Sequence, residues 1–318
     1  MPGIISTAPG KTILFGEHAV VYGKPAIAVP VNEKMAKAKI LPNISARTES
    51  IQFIASQIEL DMEYSQLEQK HPLRIAVDEV KNFLQIENYP SCKIFLETSI
   101  PISSGLGSSA AISVALINGL LNFVGYTPTP KIVSDLAFQV EIEFHGNPSG
   151  IDNTVIAYNK AIMFQKEKPV EFINPGAEFS LLIADSGIKG NTKTAVSEVR
   201  ERWMADTSTF DLYFEKIGNI TLQAREMIET GDIFSLGKLM NANQELLVKI
   251  GVSHSSIDNL IDTALDHGAF GAKLCGGGLG GNIIVLVNES SAPHLSDILI
   301  NAGAADVIYM KLKPGESA

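Results

Sequence analysis

The chain has 318 residues, of which 45% are hydrophobic and 19% are charged. This composition is typical of a folded globular protein and excludes an intrinsically disordered chain, and the length exceeds what one hydrophobic core usually supports, so two domains are expected. The net charge of −10 argues against a broad surface for nucleic acid or for anionic membranes, because both need clustered Lys and Arg.

The cysteine content and the N-terminal segment both bear on the compartment. Cys92 and Cys275 lie far apart, and neither belongs to a CxxC or Cys/His spacing, so neither a disulfide framework nor a zinc site is indicated. The first residues, MPGIISTAPGKTILFGEH, lack the basic start and continuous apolar core of a signal peptide, and no apolar run is long enough to cross a bilayer. We therefore expect a cytoplasmic protein with no membrane partner.

The first third of the chain is predicted to be rich in strands. Short apolar runs separated by Gly and Pro predict these strands: Ile4–Thr7, Thr12–Phe15, Ala26–Val31 and, further on, Cys92–Glu97. Between the last two, apolar residues recur at helical spacing and predict a helix from Pro72 to Leu84.

Two helices are predicted in the middle of the chain. The apolar stretch Ala110–Val124 is too long for one strand and predicts a buried helix that begins at the serines before it. Thr129 as N-cap and Pro130 at the first helical position predict a second helix, which ends near Gly146.

A new pattern follows the polar stretch from Gln165 to Phe179. In chain order it predicts a strand at Ser180–Ala184 and helices at Phe210–Glu229, Ile233–Lys249 and Ile257–Asp266. These are followed by two strands joined by a glycine loop over Ala272–Val287, a helix at His294–Asn301 and a strand at Val307–Leu312. This order of elements indicates an α+β fold. We place the domain boundary near Asn174, which gives domains 1–174 and 175–318.

The stretch PISSGLGSSAA raises three alternatives for a glycine loop. A dinucleotide loop needs an acidic residue about 20 positions further on, and none occurs between Glu97 and Asp135. A Walker A loop needs Lys followed by Ser or Thr, which is missing. What remains is a helix N-terminus whose free N–H groups hold phosphate oxygens, with Ser108 and Ser109 as further ligands for phosphate and Mg²⁺, or a plain turn in which Ser109 caps the helix.

The stretch EIEFHGNPSGIDN contains two carboxylates of interest, those of Glu141 and Asp152. Glu141 and His145 lie one helical turn apart, and the turn after them is expected to deliver Asp152 into a loop. Phosphoryl transfer needs one carboxylate for Mg²⁺ and another for the proton of a hydroxyl group. The alternative is a surface Glu/His pair followed by an ordinary turn.

Three further stretches carry weaker signals. Lys11 stands after a Pro-Gly turn, and Glu17 and His18 fall in the next break; each could line a cleft or face water. The stretch KLCGGGLGGN has five glycines within Gly276–Gly281, which indicates either a hairpin bend or a close approach of backbone to a ligand, and we favour the ligand. The stretch DSGIKGNTKT could bring Lys189 or Thr192 to the cleft, or form a solvent loop.

Taken together, GKTILFGEHAVVYGKPAIA, PISSGLGSSAA, HGNPSGIDN and KLCGGGLGGN resemble the signature motifs of the GHMP kinases, in family order and over nearly the whole chain. Within that family, GEHAVVYGKPA and EFHGNPSGIDN are most similar to the mevalonate kinases. The resemblance implies a two-lobed fold, with an N-terminal lobe like ribosomal protein S5 domain 2, a ferredoxin-like C-terminal lobe and the active site between them. It also implies ATP-dependent phosphorylation of the 5-hydroxyl of mevalonate, in the mevalonate route to isoprenoids.

The family pattern implies how nucleotide and metal are bound. The triphosphate of ATP is expected on Gly105, Leu106, Gly107, Ser108 and Ser109. Mg²⁺ is expected on Ser109 and Glu141. The glycines Gly276, Gly277 and Gly278 correspond to the loop that closes near the phosphates.

The same pattern implies roles in the chemistry. Asp152 corresponds to the carboxylate that accepts the proton of the hydroxyl group, and Lys11 to the amine that offsets developing charge. His18 falls where these kinases contact mevalonate, Glu17 is expected beside Lys11, and Thr192 is assigned to the substrate. Enzymes of this family are usually homodimers.

The sequence departs from the family pattern at two positions, and two alternative functions stay open. Ile112 stands where animal mevalonate kinases have a tyrosine, and Cys275 where Thr or Ser is common, which leaves fine substrate contacts and feedback inhibition by prenyl diphosphates undecided. One alternative is another GHMP kinase, such as a phosphomevalonate or homoserine kinase. The other is a GHMP-fold sensor without turnover, which would be expected to lack Lys11 or Asp152.

Overall fold

The structure is a computed structural model that describes residues 2–46, 50–101, 105–145, 148–190 and 192–315. Its chain divides into two compact units. The first unit comprises Met1–Gly10, Lys34–Pro101 and Gly107–Asn159, and the second comprises Lys11–Glu33, Ile102–Leu106 and Lys160–Ala318. The domain boundary near Asn174 stays a prediction.

The elements up to residue 159 are five strands and four α-helices, counted over the described residues: β1 (Ile4–Phe15), β2 (Ala26–Pro42), β3 (Ile51–Ala55), β4 (Leu60–Glu63), β5 (Cys92–Thr98), α1 (Pro72–Leu84), α2 (Ser108–Phe123), α3 (Pro130–His145) and α4 (Ile151–Tyr158). A short 3₁₀ helix, Ala19–Tyr22, follows β1. The strands β1 and β2 each run from one unit into the other.

The sheet of the first unit is built on β5. The far half of β2 pairs with β5 antiparallel, from Ala36 opposite Thr98 to Pro42 opposite Cys92. On its other side β5 pairs with β3 in parallel, and β3 pairs with β4 antiparallel. Alternate residues of β5 are buried, as expected for a sheet that packs one face on helices. Gly119 of α2 allows that packing to be close, because a Cβ there would lie 3.1 Å from Cδ1 of Ile40.

The remaining elements belong to the second unit: β6 (Ile162–Phe164), β7 (Glu171–Phe172), β8 (Phe179–Asp185), α5 (Thr192–Ala205), α6 (Thr207–Thr230), α7 (Ile233–Lys249), α8 (Ser255–Asp266), β9 (Gly271–Cys275), β10 (Asn282–Val287), α9 (Ala292–Asn301) and β11 (Asp306–Leu312). The strands β11, β8, β10 and β9 form an antiparallel sheet in that order. Helices α6, α7 and α8 supply much of the core around it, including Phe214, Leu247 and Leu260.

The predicted elements are largely confirmed. Helices α1 and α7 have the predicted bounds, and Thr129 caps α3 through a hydrogen bond from the Ile132 N–H to Oγ1 of 3.4 Å. The α+β class is confirmed as well. These helices were predictable because each has a regular apolar face or clear end signals.

Other predictions were wrong in detail. The first two predicted strands are one strand, β1, which continues through Pro9 and Gly10; β1 pairs with β2, and proline is tolerated on edge strands. Asp152 does not lie in a loop but in the first turn of α4, a helix that was not predicted. Helix α5 was also missed, because Ala195 and Val199 are its buried residues and provide only a weak apolar pattern.

Within the part of the chain that the structure describes, none of the helices combines the length and the apolar character that a membrane crossing requires.

Candidate active site

The glycine loop leads directly into the N-terminus of α2. Gly105 and Gly107 have φ of 78° and 75°, a conformation that residues with a Cβ rarely adopt. Gly107 is the N-cap residue of α2, and among the described residues no side chain caps this helix. The first-turn N–H groups therefore point out of the helix end, as in anion sites of this kind. Residues 102–104, which include two serines of the motif, lie outside the described residues.

Ser109 is not the cap of α2, since it follows the first helical residue, Ser108. Instead, its hydroxyl group donates a hydrogen bond of 3.2 Å to Oε1 of Glu141, which is 8% exposed and lies on α3. Ser109 itself is exposed. The structure thus brings together the two side chains that the sequence assigns to Mg²⁺.

A hydroxyl and a carboxylate oxygen fit the chemistry of Mg²⁺. This ion prefers oxygen ligands, keeps several waters, and is usually held by one or two protein groups together with substrate phosphates. In the described residues no cluster of three or more His, Cys, Asp or Glu could hold a metal without such help. The Ser109–Glu141 pair therefore suits an ion that arrives with a nucleotide.

The next two residues after Asp152 on α4 make hydrogen bonds that fix the start of this helix. Asn153 donates from Nδ2 to the Ser134 carbonyl oxygen at 3.1 Å and to the Ser134 hydroxyl at 3.0 Å, which fastens α4 to α3. Thr154 donates to the Gly150 carbonyl oxygen at 2.7 Å. Asp152 is half-buried and lies in the first turn of α4. Gly146, Asn147 and the side chain of His145 lie outside the described residues, so the Glu141–His145 pairing stays a prediction.

Lys11 lies in β1 and is 6% exposed. Its backbone N–H donates to the carbonyl oxygen of Leu106 at 2.9 Å, which ties the strand to the glycine loop. Both residues belong to the second unit. The resemblance assigned Leu106 to the triphosphate and Lys11 to charge stabilisation, and the structure makes the two residues neighbours.

Glu17 forms a buried ion pair with Lys273 of β9. The ammonium group of Lys273 donates to Oε1 of Glu17 and, at 2.6 Å, to the carbonyl oxygen of Leu274, and both side chains are fully buried. Burial raises the pKa of Glu17, and the charge of Lys273 opposes that shift. Sequence reasoning did not single out Lys273, although a charged residue within the otherwise uncharged strand GAKLC was a signal that could have found it.

His18 adopts a backbone conformation that is uncommon for a residue with a side chain, with φ of 59°. Its Nε2 lies 2.9 Å from the carbonyl oxygen of Gly277. A carbonyl oxygen only accepts, so we assign the proton to Nε2, which leaves Nδ1 as an acceptor in the neutral ring. Burial lowers the pKa of His18, so the ring is neutral at pH 7.

The second glycine loop joins the antiparallel strands β9 and β10, as a hairpin. It approaches its neighbours closely: a Cβ on Gly277 would lie 2.8 Å from Cα of Thr192, and one on Gly278 would lie 2.2 Å from the carbonyl oxygen of Val252. The observed close approach is thus to protein backbone and to Thr192, at the start of α5. The contact of the second glycine loop with phosphates stays a prediction. Lys189, in the stretch before α5, is exposed.

Comparison with protein-family models gives two matches. Residues 72–160 match the model described as "GHMP kinases N terminal domain", and residues 224–305 match the one described as "GHMP kinases C terminal". The first range contains Ser109, Glu141 and Asp152, and the second contains Lys273 and the second glycine loop.

Similarity to individual mevalonate kinases extends over nearly the whole chain. The mevalonate kinase of Thermococcus sibiricus is 33% identical over 316 residues, which cover 94% of each chain. The mevalonate kinase of Archaeoglobus fulgidus is 35% identical over 286 residues, covering 89% of this chain and 92% of that protein.

Solved structures show the same similarity in three dimensions. The mevalonate kinase of L. major, solved in complex with R-mevalonate, has a TM-score of 0.82 and 27% identity and covers 99% of this chain and 97% of its own. The Methanococcus jannaschii mevalonate kinase has a TM-score of 0.82 and 27% identity and covers 98% of each chain. A phosphomevalonate kinase from Streptococcus pneumoniae has a TM-score of 0.83 at 15% identity, which shows a shared fold alone.

Proposed function

The chain belongs to the GHMP kinase family, and we propose from that membership that it is an ATP-dependent mevalonate kinase, which forms mevalonate 5-phosphate and ADP. Full-length identity of about one third to named mevalonate kinases supports the choice of substrate. The observation that carries the proposal is the hydrogen bond between Ser109 and Glu141 at the N-terminus of α2, since it assembles oxygen ligands beside a site for phosphate.

The nucleotide would be bound by the backbone of α2. The N–H groups of the first turn, exposed because Gly107 and not a polar side chain is the N-cap, hold the phosphate oxygens of ATP. Ser109 and Glu141 would hold Mg²⁺, which when bound neutralises charge on the phosphates and so makes ADP a better leaving group. Glycine suits position 107 because its φ is positive, a conformation that residues with a Cβ rarely adopt.

The chemical step needs a base and a counter-charge. The carboxylate of Asp152 accepts the proton of the mevalonate 5-hydroxyl as that oxygen attacks the γ-phosphorus and the bond to the β-phosphate oxygen breaks. The ammonium group of Lys11 offsets the negative charge that develops on the transferred group. His18, neutral and with Nδ1 as an acceptor, suits a hydroxyl group of mevalonate, and Thr192 also contacts the substrate.

Compartment and assembly are part of the proposal. A protein with two buried, unpaired cysteines suits a reducing cytoplasm. A homodimer is usual among enzymes of this family, and we propose the same state here.

The test is a comparison of acceptors. Purified protein is incubated with Mg²⁺-ATP and, in parallel, mevalonate, phosphomevalonate, homoserine or galactose; ADP release is measured and the product is identified by phosphorus NMR. Turnover with mevalonate alone supports the proposal. Turnover with another acceptor means a different GHMP kinase, and ATP binding without any turnover means a sensor.

The role of the base is tested with Asp152→Asn. Loss of a general base lowers kcat by about 10²–10⁴-fold, while the KM for ATP stays within about threefold, because the nucleotide does not need the carboxylate. Asp135→Asn is the matched control, since Asp135 lies exposed on α3 and pairs with Lys131. Equal losses in both variants would contradict the assignment.

A further inference from the structure

Unpaired polar atoms are concentrated in one place in the core. Among the buried side-chain nitrogen and oxygen atoms that the structure describes, those without a hydrogen-bond partner are Oε2 of Glu17 and both amide atoms of Asn243. Asn243, on α7, is 0% exposed, and Glu17 is 1% exposed. The amide of Asn243 faces the Glu17 carboxylate closely enough to lower its pKa as a hydrogen-bond donor, but the two groups do not meet hydrogen-bond geometry in the structure.

Such atoms are costly to bury without a partner. Nearly all buried polar groups in proteins are hydrogen-bonded, and a charged oxygen that loses its partner is penalised more than a neutral one. Where neighbouring protein groups do not reach one another directly, an ordered water that makes several hydrogen bonds usually completes the set. Glu17 and Asn243 together offer two acceptor atoms and one amino group, enough for such a water.

The neighbours of Asn243 on α7 show what is unusual about it. Asn241 accepts a hydrogen bond of 2.9 Å from the N–H of Ala272, and Gln244 accepts one of 2.9 Å from the N–H of Leu274. These two amides fasten α7 to the backbone of β9. Asn243 makes no such bond to the strand, so its amide serves another purpose.

Glu17 connects this amide to the candidate site. Its other carboxylate oxygen pairs with Lys273, and the next residue in the chain is His18, whose φ of 59° and bond to the Gly277 carbonyl oxygen require an accurately held backbone. The buried carboxylate and the imidazole ring therefore belong to residues joined by a single peptide unit.

We propose that Asn243 is a positioning residue for Glu17 and His18, and that an ordered water shared by Asn243 and Oε2 of Glu17 completes their hydrogen bonds. Asn243 does not touch substrate; it holds the second oxygen of Glu17 so that His18 keeps its place. The consequence for mevalonate binding rests on the function proposed above, whereas the water and the Asn243–Glu17 coupling do not.

The direct test is a high-resolution crystal structure of the full chain. We expect a water within hydrogen-bond distance of both Oε2 of Glu17 and the amide of Asn243, and its loss in Asn243→Leu. No density for a water there would overturn that part of the proposal.

Kinetics test the positioning role. We expect Asn243→Leu to raise the KM for mevalonate about tenfold, the usual loss for a hydrogen bond to a charged group, with kcat and the KM for ATP within about threefold. In a Glu17→Gln background the same substitution changes that KM by less than about twofold, because the residue acts through Glu17. Asn241→Leu, which removes a bond to the strand, lowers stability but leaves the KM for mevalonate unchanged.

The failure of this inference differs from a failure of the proposed function. If mevalonate is not phosphorylated, the function is wrong, and a double-mutant cycle on urea unfolding of Glu17→Gln and Asn243→Leu still measures the coupling of the two side chains. Additive losses of unfolding free energy, or equal effects of Asn243→Leu on KM in both backgrounds, would overturn the positioning role.

Discussion

At the residue scale, the buried ion pair of Glu17 and Lys273 carries a large energetic consequence. Both charges are fully removed from water, and each depends on the other for compensation. The resemblance placed Glu17 beside Lys11, which stays a prediction, and sequence reasoning missed Lys273, which is 256 positions away in the chain. A partner so distant in sequence is brought to Glu17 by the tertiary fold; the local pattern showed only that a charged residue lies within the otherwise uncharged strand GAKLC.

Replacing one partner should be worse than replacing both. We expect Lys273→Met to lower the free energy of unfolding by about 3–5 kcal/mol, because it leaves a buried carboxylate uncompensated, and Glu17→Gln/Lys273→Met to recover a large part of that loss. Urea denaturation at pH 7 measures both. Lys131→Met is the control, since its ion pair with Asp135 is exposed and its loss should stay within about 0.5 kcal/mol.

At the element scale, the loop between β9 and β10 contains several glycines, and the physical reason that favours glycine differs between the positions. Gly276 and Gly278 both have positive φ, of 83° and 76°. A Cβ on Gly276 would meet nothing within 4 Å, whereas one on Gly278 would collide with the carbonyl oxygen of Val252, which also accepts a bond of 2.8 Å from the Leu279 N–H. The sequence showed the density of glycines but not which of them is sterically required.

Alanine at the two positions separates conformational strain from collision. Gly276→Ala should lower the free energy of unfolding by about 1–2 kcal/mol, the strain of a left-handed backbone with a Cβ. Gly278→Ala adds the collision and should cost about 2–4 kcal/mol. Thermal or urea unfolding measures both changes in stability. Losses of unfolding free energy of the same size in both variants would mean that the contact with Val252 relaxes without strain.

At the scale of the whole molecule, ligand binding should increase the stability of the folded chain. A ligand that binds the folded chain alone, at a hundred times its Kd, stabilises it by about 2.7 kcal/mol, so Mg²⁺-ATP should raise Tm. EDTA should remove the part of that shift that depends on the metal, and so should Glu141→Gln. Glu143→Gln, an exposed change on the same helix, should keep the full shift. Persistence of the metal-dependent shift in Glu141→Gln would contradict the assignment of Glu141 to Mg²⁺.

The sequence by itself determined the α+β class and the bounds of α1 and α7, since periodicity and caps are local properties. Its resemblance to the GHMP kinases supplied the Ser109–Glu141 pair as a candidate for Mg²⁺. Only the tertiary structure decided that β1 continues through Pro9, that Asp152 lies in the first turn of a helix, and that Glu17 and Asn243 both have buried polar atoms without a hydrogen-bond partner. These depend on burial and on partners distant in the chain, where packing and desolvation outweigh the local preferences of the backbone.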